Sequence, residues 1–216
     1  MMKQMIRAGA GVLAAAAFAA AQAAPVDDTV SQLQQRWAEI KYAVPQGAQE
    51  QRYAGLAAEA DQARSRYPDR AEVLIWHGII VASYAGAKGG LGALGLAKDA
   101  RKDFEEALKI DPKALSGSAY TSLGSLYYQV PGWPIGFGDD KKAVEYLKQG
   151  LAANPDGIDA NFFYGDYLFR KGDKAGAEQY LRKALQAPPR PGRKLADDGR
   201  RREIEALLAK IGAQGK

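Results

Sequence analysis

The chain has 216 residues, of which 47% are hydrophobic and 25% are charged, and its formal net charge at pH 7 is +5. This is the composition of an ordinary globular protein, and it excludes a disordered or collagen-like chain. The sequence has no cysteine and one histidine. It therefore excludes thiol nucleophiles, disulfides, thiolate-bound metals and multi-histidine metal centres.

Residues 1–23 have the three parts of a secretory signal peptide. Lys3 and Arg7 supply positive charge, an apolar stretch covers residues 8–21, and Ala21-Gln22-Ala23 is a small-x-small cleavage site. The apolar stretch is shorter than the roughly 20 residues that a membrane-spanning helix needs. We therefore expect cleavage after Ala23 and a soluble, exported protein, which in a Gram-negative cell lies in the periplasm.

Two amphipathic helices are expected after the signal, because apolar residues recur there at intervals of three and four. The second of these helices ends at Tyr67-Pro68. The apolar residues are Val30, Leu33, Trp37 and Ile40 in the first helix and Tyr53, Leu56, Ala60 and Ala63 in the second.

One spacing then occurs three times: a small residue, a large apolar residue four positions later, a small residue at seven and a proline at twelve. Residues four and seven apart lie on one face of a helix, and alternating large and small side chains let two helices interdigitate. A first helix with a glycine at its small position precedes each set. The glycines are Gly78, Gly124 and Gly165, and the sets are Ala100, Phe104, Ala107 and Pro112; Ala143, Leu147, Gly150 and Pro155; and Ala177, Leu181, Ala184 and Pro189.

This pattern resembles the tetratricopeptide repeat, a helix-turn-helix unit of about 34 residues. The resemblance covers about residues 70–189 and implies an all-α, right-handed superhelix of about four helix pairs with a C-terminal capping helix, nine helices in all and no strand. The predicted divisions are a signal peptide at 1–23, a degenerate N-terminal helix pair at 24–68, a repeat with a Gly-rich insertion at 69–112, a repeat with a Pro/Gly/aromatic insertion at 113–155, a standard-length repeat at 156–189 and a basic capping helix at 190–216.

Two of the repeats carry extra residues between their helices. The first-helix glycine and the second-helix alanine are 22 positions apart in the first repeat and 19 in the second, against 12 in the third. Stacked repeats place equivalent loops side by side, so the two insertions are expected to form one rim, which in such arrays is often the binding face. The candidate binding residues on this rim are Tyr84, Lys88, Tyr128, Trp133, Ile135 and Phe137.

The second insertion is unusual for a surface loop because Trp133, Ile135 and Phe137 fall within five residues. Surface loops are normally polar, so these side chains either pack against their own repeat or contact a partner. The sequence leaves both interpretations open. Asp139 and Asp140 are expected to cap the next helix, because carboxylates are favourable at a helix N-terminus.

The first insertion contains Gly90-Leu91-Gly92-Ala93-Leu94-Gly95, which matches the G-x-G-x-x-G spacing of a dinucleotide-binding loop. That site requires a strand before the motif and a crossover to a parallel strand after it. Here a helical pattern precedes the motif and the second helix of a repeat follows it. We expect no nucleotide site.

His77 is at an inward position of a first helix, next to Gly78, and is expected to be a core histidine that is hydrogen-bonded and neutral. No catalytic Ser-His-Asp or Cys-His arrangement can be argued from the spacing. The scattered carboxylates show no acid/base pairing. We therefore predict a protein that is not an enzyme and binds no cofactor and no metal.

The C-terminal segment is expected to be a capping helix with one apolar face. Asp197 is its predicted N-cap and Gly212 its predicted stop. Arg200-Arg201-Arg202 stand beside Glu203 and Glu205, which is typical of a solvated outer face. The basic end invites a nucleic-acid partner, but predicted export argues against one.

Stacked helix pairs expose an extended groove. The sequence therefore predicts an exported protein that binds a protein partner in the cell envelope through its concave face and the two-loop rim. The chain also resembles the tetratricopeptide-type T component (TatT-like) associated with tripartite (TRAP) uptake transporters, on its organisation and on the loop from Pro131 to Asp140. That resemblance implies a trimeric component that binds and channels a small ligand. The sequence does not decide the oligomeric state.

Overall fold

A computed structural model describes the backbone of residues 9–90 and 92–213, and the side chains of these ranges from Val26 onward. Within the described residues the chain forms nine α-helices, a 3-10 turn at Ala114–Gly117, and no strand beyond an isolated bridge between Gly132 and Gly138. The predicted all-α class is confirmed. The helices are α1 Gly9–Ala43, α2 Gln46–Arg66, α3 Ala71–Lys88, α4 Gly92–Ile110, α5 Ser118–Gln129, α6 Asp140–Ala153, α7 Ile158–Arg170, α8 Lys174–Leu185 and α9 Lys194–Ala213.

The predicted signal peptide is described only in part. Residues 1–8 are not described, and for residues 9–23 only a helical backbone, continuous with the rest of α1, is described. The described core side chains of α1 begin at Val26 and continue through Val30, Leu33 and Trp37. None of the helices in the described ranges is both long and apolar enough to cross a bilayer.

A large side chain of the second helix lies over a glycine of the first helix in three successive pairs. A Cβ added to Gly78 would stand 2.6 Å from Cε1 of Phe104, and one added to Gly124 would stand 2.6 Å from Cγ of Leu147. At Gly165 the corresponding distance to Cγ of Leu181 is 2.9 Å. Real Cβ atoms do not approach this closely, so the missing side chain is what lets each pair of helices pack at this distance.

The small positions of the predicted spacing are closed to solvent as well. Phe104, Leu147 and Leu181 are fully buried. The alanines that flank them are also fully buried: Ala100, Ala107, Ala143, Ala177 and Ala184. The predicted register of α4, α6 and α8 is therefore confirmed. In α2 the sizes are exchanged, because Leu56 takes the small position and Ala60 the large one, both fully buried.

The first insertion is helical, which the prediction of a Gly-rich loop missed. Helix α3 continues to Lys88 and α4 begins at Gly92, so the extra residues lengthen both helices. The turn between them contains Gly89 and Gly90, whose φ values of 64° and 61° lie in the left-handed region that glycine adopts most readily. Glycine costs only about 1 kcal/mol inside a helix, and the Ala, Leu and Lys neighbours are strong helix formers.

Helix α9 closes the superhelix by packing on α7 and α8 on one side and on α1 on the other. At the contact with α1, Gly199 lies against the ring of Tyr42, and the Tyr42 hydroxyl donates to Glu203 at 3.3 Å. The described helices therefore form a row whose first and last members touch. The first helices α1, α3, α5 and α7 line the concave side together with α9.

Several expectations for the C-terminal segment were wrong. Asp197 is buried and accepts hydrogen bonds from the backbone and side chain of Arg190, so it fixes the preceding turn instead of capping α9. Arg200 is buried against α7, and Arg201 donates to two backbone carbonyls, which leaves Arg202 as the exposed member of the run. Gly212 lies within α9.

His77 is buried and hydrogen-bonded, as predicted, but its partners favour the charged imidazolium. Its Nδ1 is 2.6 Å from Oδ2 of Asp103 in α4, and its Nε2 is 2.9 Å from Oδ1 of Asp61 in α2. Arg64 in α2 adds an ion pair to Asp103 at 3.2 Å. Burial lowers the pKa of His77, but the hydrogen bonds and charges of Asp103 and Asp61 outweigh it and raise the pKa above its ordinary value. The group ties three helices together.

The glycine contacts predict opposite effects for two glycine-to-alanine substitutions. Gly124→Ala should lower the free energy of unfolding by about 1–3 kcal/mol, because the new methyl group would strike Leu147, including its backbone nitrogen at 2.9 Å. The matched control is Gly55→Ala in α2, where nothing lies within 4 Å. It should raise that free energy by about 0.5–1 kcal/mol through the lower backbone entropy of the unfolded chain. Urea denaturation measures both, and equal effects would contradict the packing described.

The His77 network predicts stability that declines as the pH rises above about 6.5. The pKa of His77 is raised in the folded state, so its contribution is complete below the unfolded value of about 6.5 and is lost as the pH rises through the folded value. Because the chain has one histidine, NMR titration of the imidazole signals measures that value directly. Asp103→Asn should lower it more than Asp61→Asn, because Asp103 is fully buried and Asp61 is exposed. A titration midpoint at or below about 6.5 in the unmodified protein would contradict this account.

Candidate functional site

The second insertion is an ordered loop between α5 and α6, covering residues 130–139. Its two ends are joined by hydrogen bonds from the Asp139 amide to the Tyr127 carbonyl at 3.0 Å and from the Gly138 amide to the Pro131 carbonyl at 2.9 Å. At the tip, the amides of Ile135 and Gly136 both donate to the Gly132 carbonyl at 3.1 Å. A Cβ on Gly138 would collide with the Val130 and Pro131 backbone. Glycine is therefore needed for the closed neck of this loop.

Phe137 attaches the loop to helices α5 and α4. Its ring meets the ring of Tyr127 edge to face, with centroids 5.7 Å apart, and the guanidinium of Arg101 lies 4.5 Å from its centroid on the α4 side. Such aromatic and cation–π contacts each contribute about 0.5–1.5 kcal/mol beyond the area that they bury. Of the two interpretations left open by the sequence, Phe137 follows the one in which the side chain packs against its own repeat.

Trp133 and Ile135 do not pack against their own repeat, so their exposure agrees with the second interpretation, in which they contact a partner. Trp133 is 89% exposed and Ile135 is 63% exposed, in a loop whose backbone is fixed at both ends. Large apolar side chains with this exposure leave apolar surface in water and are typical of contact sites for a partner. The loop therefore holds one aromatic residue inward and presents two apolar side chains outward.

Asp139 caps α6, as predicted. Its Oδ1 accepts hydrogen bonds from the backbone amides of Lys141 at 2.9 Å and Lys142 at 3.1 Å. Asp140 is the first residue of α6 and forms an ion pair with Lys171 at 2.5 Å. The two carboxylates are thus engaged in fixing the end of the loop.

Tyr84 and Lys88 lie in the last turns of α3, and Lys88 lies over the Tyr84 ring with its Nζ 5.4 Å from the centroid. Lys88 also faces Glu50 at 3.9 Å. The second insertion meets this repeat through α4, because a Cβ on Gly136 would be 3.2 Å from Cδ1 of Leu94. The two insertions therefore lie at the same edge of the superhelix, and α4 connects them.

Tyr128 points away from the loop toward α7. Its hydroxyl donates to Oδ2 of Asp166 at 2.7 Å, and the guanidinium of Arg170 lies 5.4 Å from its ring centroid. Burial and the Asp166 carboxylate raise the pKa of the Tyr128 hydroxyl well above its usual range. This residue connects two repeats and does not share a surface with Trp133.

The concave side contains a cavity of about 680 Å³, which the sequence did not predict as a separate feature. At its inner end the carboxylate of Asp159 in α7 is 2.7 Å from Nη1 of Arg190 and 2.8 Å from Nε of Arg200. Although burial alone would raise the pKa of Asp159, Arg200 and Arg190 hold it well below its usual range. Arg200 also donates to Glu203 at 2.6 Å.

Two further residues of this inner end were missed by the sequence analysis. Trp76 lies in α3, and its ring meets that of Trp37 edge to face with centroids 5.8 Å apart. Arg193 precedes α9 and stacks on Trp76, with its guanidinium carbon 4.9 Å from the ring centroid. Burial and the charge of Arg190 lower the pKa of Arg193 to about 10. Nothing local in the sequence signals the contact of Arg193 with Trp76, because the two residues are more than 100 positions apart.

Among the residues that the structure describes, no group of three or more His, Asp or Glu side chains is arranged to hold a metal ion.

Comparison with known proteins agrees with the geometry. A family model described as a tetratricopeptide repeat matches residues 158–191, which are α7, α8 and the turn that follows. The fold is similar to the crystal structure of a thermophilic tetratricopeptide-repeat protein from Thermus thermophilus, with a TM-score of 0.59 and 21% identity over 85% of this chain and 82% of that chain. At this identity the likeness concerns the fold alone.

A crystal structure of MamA is also similar, with a TM-score of 0.45 and 19% identity over 76% of this chain and 89% of that chain. No functionally curated protein matches the sequence significantly. The matches described here do not concern transporter components, so the resemblance to the T component stays a prediction.

Proposed function

Because the chain is a tetratricopeptide-repeat protein, we propose that it is a non-enzymatic binding protein that recruits a protein partner at the edge carrying its two long helix connections. The repeat fold is a protein-interaction scaffold, since stacked helix pairs present extended surfaces and place successive connections side by side.

The observation that carries the proposal is the exposure of Trp133 on a loop with a fixed backbone. Tryptophan is enriched among the residues that dominate binding energy at interfaces, where its loss costs about 2 kcal/mol or more. Two other exposed large apolar side chains, Ile110 at 43% and Leu195 at 38%, are less exposed and do not belong to this loop. Trp133 and Ile135 therefore make the strongest candidate contact among the described residues.

Pre-organisation of the loop favours binding. A flexible loop loses conformational entropy when a partner orders it, whereas a loop already held by its neck hydrogen bonds and by Phe137 loses little. The matching surface on the partner is an apolar pocket that receives the indole. Lys141 and Lys142, at the start of α6, add positive charge next to the loop, so an acidic border around that pocket is favourable.

The α3 end is the proposed second contact region. Tyr84 and Lys88 lie where α3 ends, and α4 runs from the same turn to the loop through Leu94. A partner that covers both regions would span the edge of two repeats. Tyr128 supports this edge from within by joining α5 to α7.

The proposed place of action is the periplasm, after removal of residues 1–23. The composition of this segment supports export. The partner would then belong to the cell envelope.

The partner surface is tested by a double variant, Trp133→Ser with Ile135→Ser. In-cell crosslinking of the full chain followed by mass spectrometry should recover a defined partner with the unmodified protein, and recovery should fall about tenfold or more with the variant. The melting temperature should stay the same, because both side chains are exposed. Ile110→Ser is the matched control and should leave recovery unchanged. Equal recovery with the double variant would rule out this loop as the contact.

Export is tested by the mass and N-terminal sequence of the protein from an osmotic-shock fraction of a Gram-negative host. The expected N-terminus is Ala24. Ala23→Arg should block processing, because the residue before the cleaved bond must be small. Recovery of the uncleaved chain from the cytoplasm of cells making the unmodified protein would contradict the proposal.

A further inference from the structure

The concave side is a partly enclosed chamber, because α9 packs on α7 and α8 and also reaches α1. Its cavity of about 680 Å³ falls within the range of about 300–1,000 Å³ that is usual for small-molecule sites. A second cavity of about 340 Å³ adjoins it, and both are lined by Trp76 and Arg193. The dimensions suit a small molecule better than a folded partner.

The lining of the chamber is predominantly basic. Six basic side chains and three acidic ones face the larger cavity. The arginines at the inner end are mostly paired: Arg190 with Asp159 and Asp197, and Arg200 with Asp159 and Glu203. Toward the mouth, Arg170 pairs with Asp166, and Lys41 faces Glu203 at 3.4 Å. A basic lining within apolar walls attracts an anion.

Arg193 differs from the other arginines of the lining because no carboxylate among the described residues forms an ion pair with it. Its Nε is buried and has no hydrogen-bond partner, and the nearby Nε1 of Trp76 is likewise buried without one. Asp159 and Asp197 act on Arg193 only through their charge, and both are already paired with other arginines. The lowered pKa of Arg193 agrees with a cation that is desolvated without full compensation.

The turn before α9 keeps Arg193 in this place. The Arg193 amide donates to the Arg190 carbonyl at 3.1 Å, and Gly192 between them has a φ of 69°. Asp197 accepts from the Arg190 amide at 2.8 Å and closes the same turn. A desolvated cation that lacks an anionic partner lowers stability, yet Arg193 lines the chamber. A ligand anion in the chamber would supply a counter-charge to its guanidinium.

The chemistry of the lining restricts the ligand further. A guanidinium presents two parallel N–H groups that match a carboxylate. One unpaired arginine suits a single negative charge. Three serines line the cavity from one side of α5, at intervals of four and three residues: Ser118, Ser122 and Ser125. Apolar groups such as Ile79 and Phe162 line it as well. The body of the ligand would therefore combine apolar surface with hydrogen-bonding groups.

We propose that this chamber binds a small organic acid, and that the guanidinium of Arg193 holds its carboxylate beside the Trp76 ring. This binding site is separate from the protein contact proposed at Trp133 and does not depend on it.

The experiment uses the full chain refolded from denaturant, so that any bound compound is removed. The substitution Trp133→Phe is introduced so that the tryptophan fluorescence comes from Trp37 and Trp76 alone. The probes are butanoate, L-lactate and 2-hydroxy-4-methylpentanoate, each compared with its own neutral amide at millimolar concentration. At least one acid should change the fluorescence in a saturable way, and its amide should not.

Arg193→Gln should weaken that binding by about tenfold or more, since it removes the charge-assisted hydrogen bonds to the carboxylate. Arg202→Gln is the matched control, because it removes the same charge from an exposed position of α9. It should leave binding unchanged. Without ligand, Arg193→Gln should melt at the same temperature as the unmodified protein or higher, because it removes a cation without a partner.

Four results would overturn the proposal. The first is that none of the three acids binds more tightly than its amide. The second is that Arg193→Gln and Arg202→Gln bind the best acid equally well. The third is that Arg193→Gln melts well below the unmodified protein, which would assign Arg193 to packing. The fourth is that inorganic phosphate competes as strongly as the best acid, which would assign a general anion site.

Discussion

Three glycines set the distance between the paired helices of this protein. Because Gly78, Gly124 and Gly165 have no side chain, Phe104, Leu147 and Leu181 can lie against the first-helix backbone, and the two helices of each unit approach closely. Apolar burial then extends along the row in two clusters, which Phe163 and Leu168 connect, and each unit rests on the next. The cavity and the protruding loop both depend on this spacing, since it fixes where the ends of the helices lie.

The two long repeats use their extra residues differently. In the first, they extend α3 and α4, which adds rigid structure. In the second, they form a loop that is closed by backbone hydrogen bonds and attached by Phe137. Leu94 at the start of the extended α4 lies against this loop at Gly136, so the lengthened helices of one unit support the loop of the next. The exposed side chains of Trp133 and Ile135 are thereby placed on a rigid base.

The sequence predicted several features that depend on neighbours within one or two helical turns. The buried register of Phe104 and the capping by Asp139 follow from local spacing, and both are confirmed. Arg200 was wrongly placed on a solvated face because its partner Asp159 is 41 positions away, and no local pattern tells on which side of the row the last helix returns. The contact between Arg193 and Trp76 was missed for the same reason. The outward orientation of Trp133 and inward packing of Phe137 depend on the fold of the loop, which composition alone left open.

The contact between α9 and α1 changes how cooperatively this row of repeats unfolds. In a linear array the end units have one neighbour and fray first. Here Tyr42, Gly199 and Glu203 bring the two extremities into contact, so each end gains a second neighbour. Opening either extremity then breaks contacts with both ends of the array, and unfolding becomes more cooperative than in an open solenoid of equal length. The same contact joins two walls of the cavity, α1 and α9, so the shape of the interior depends on the first and the last of the described helices.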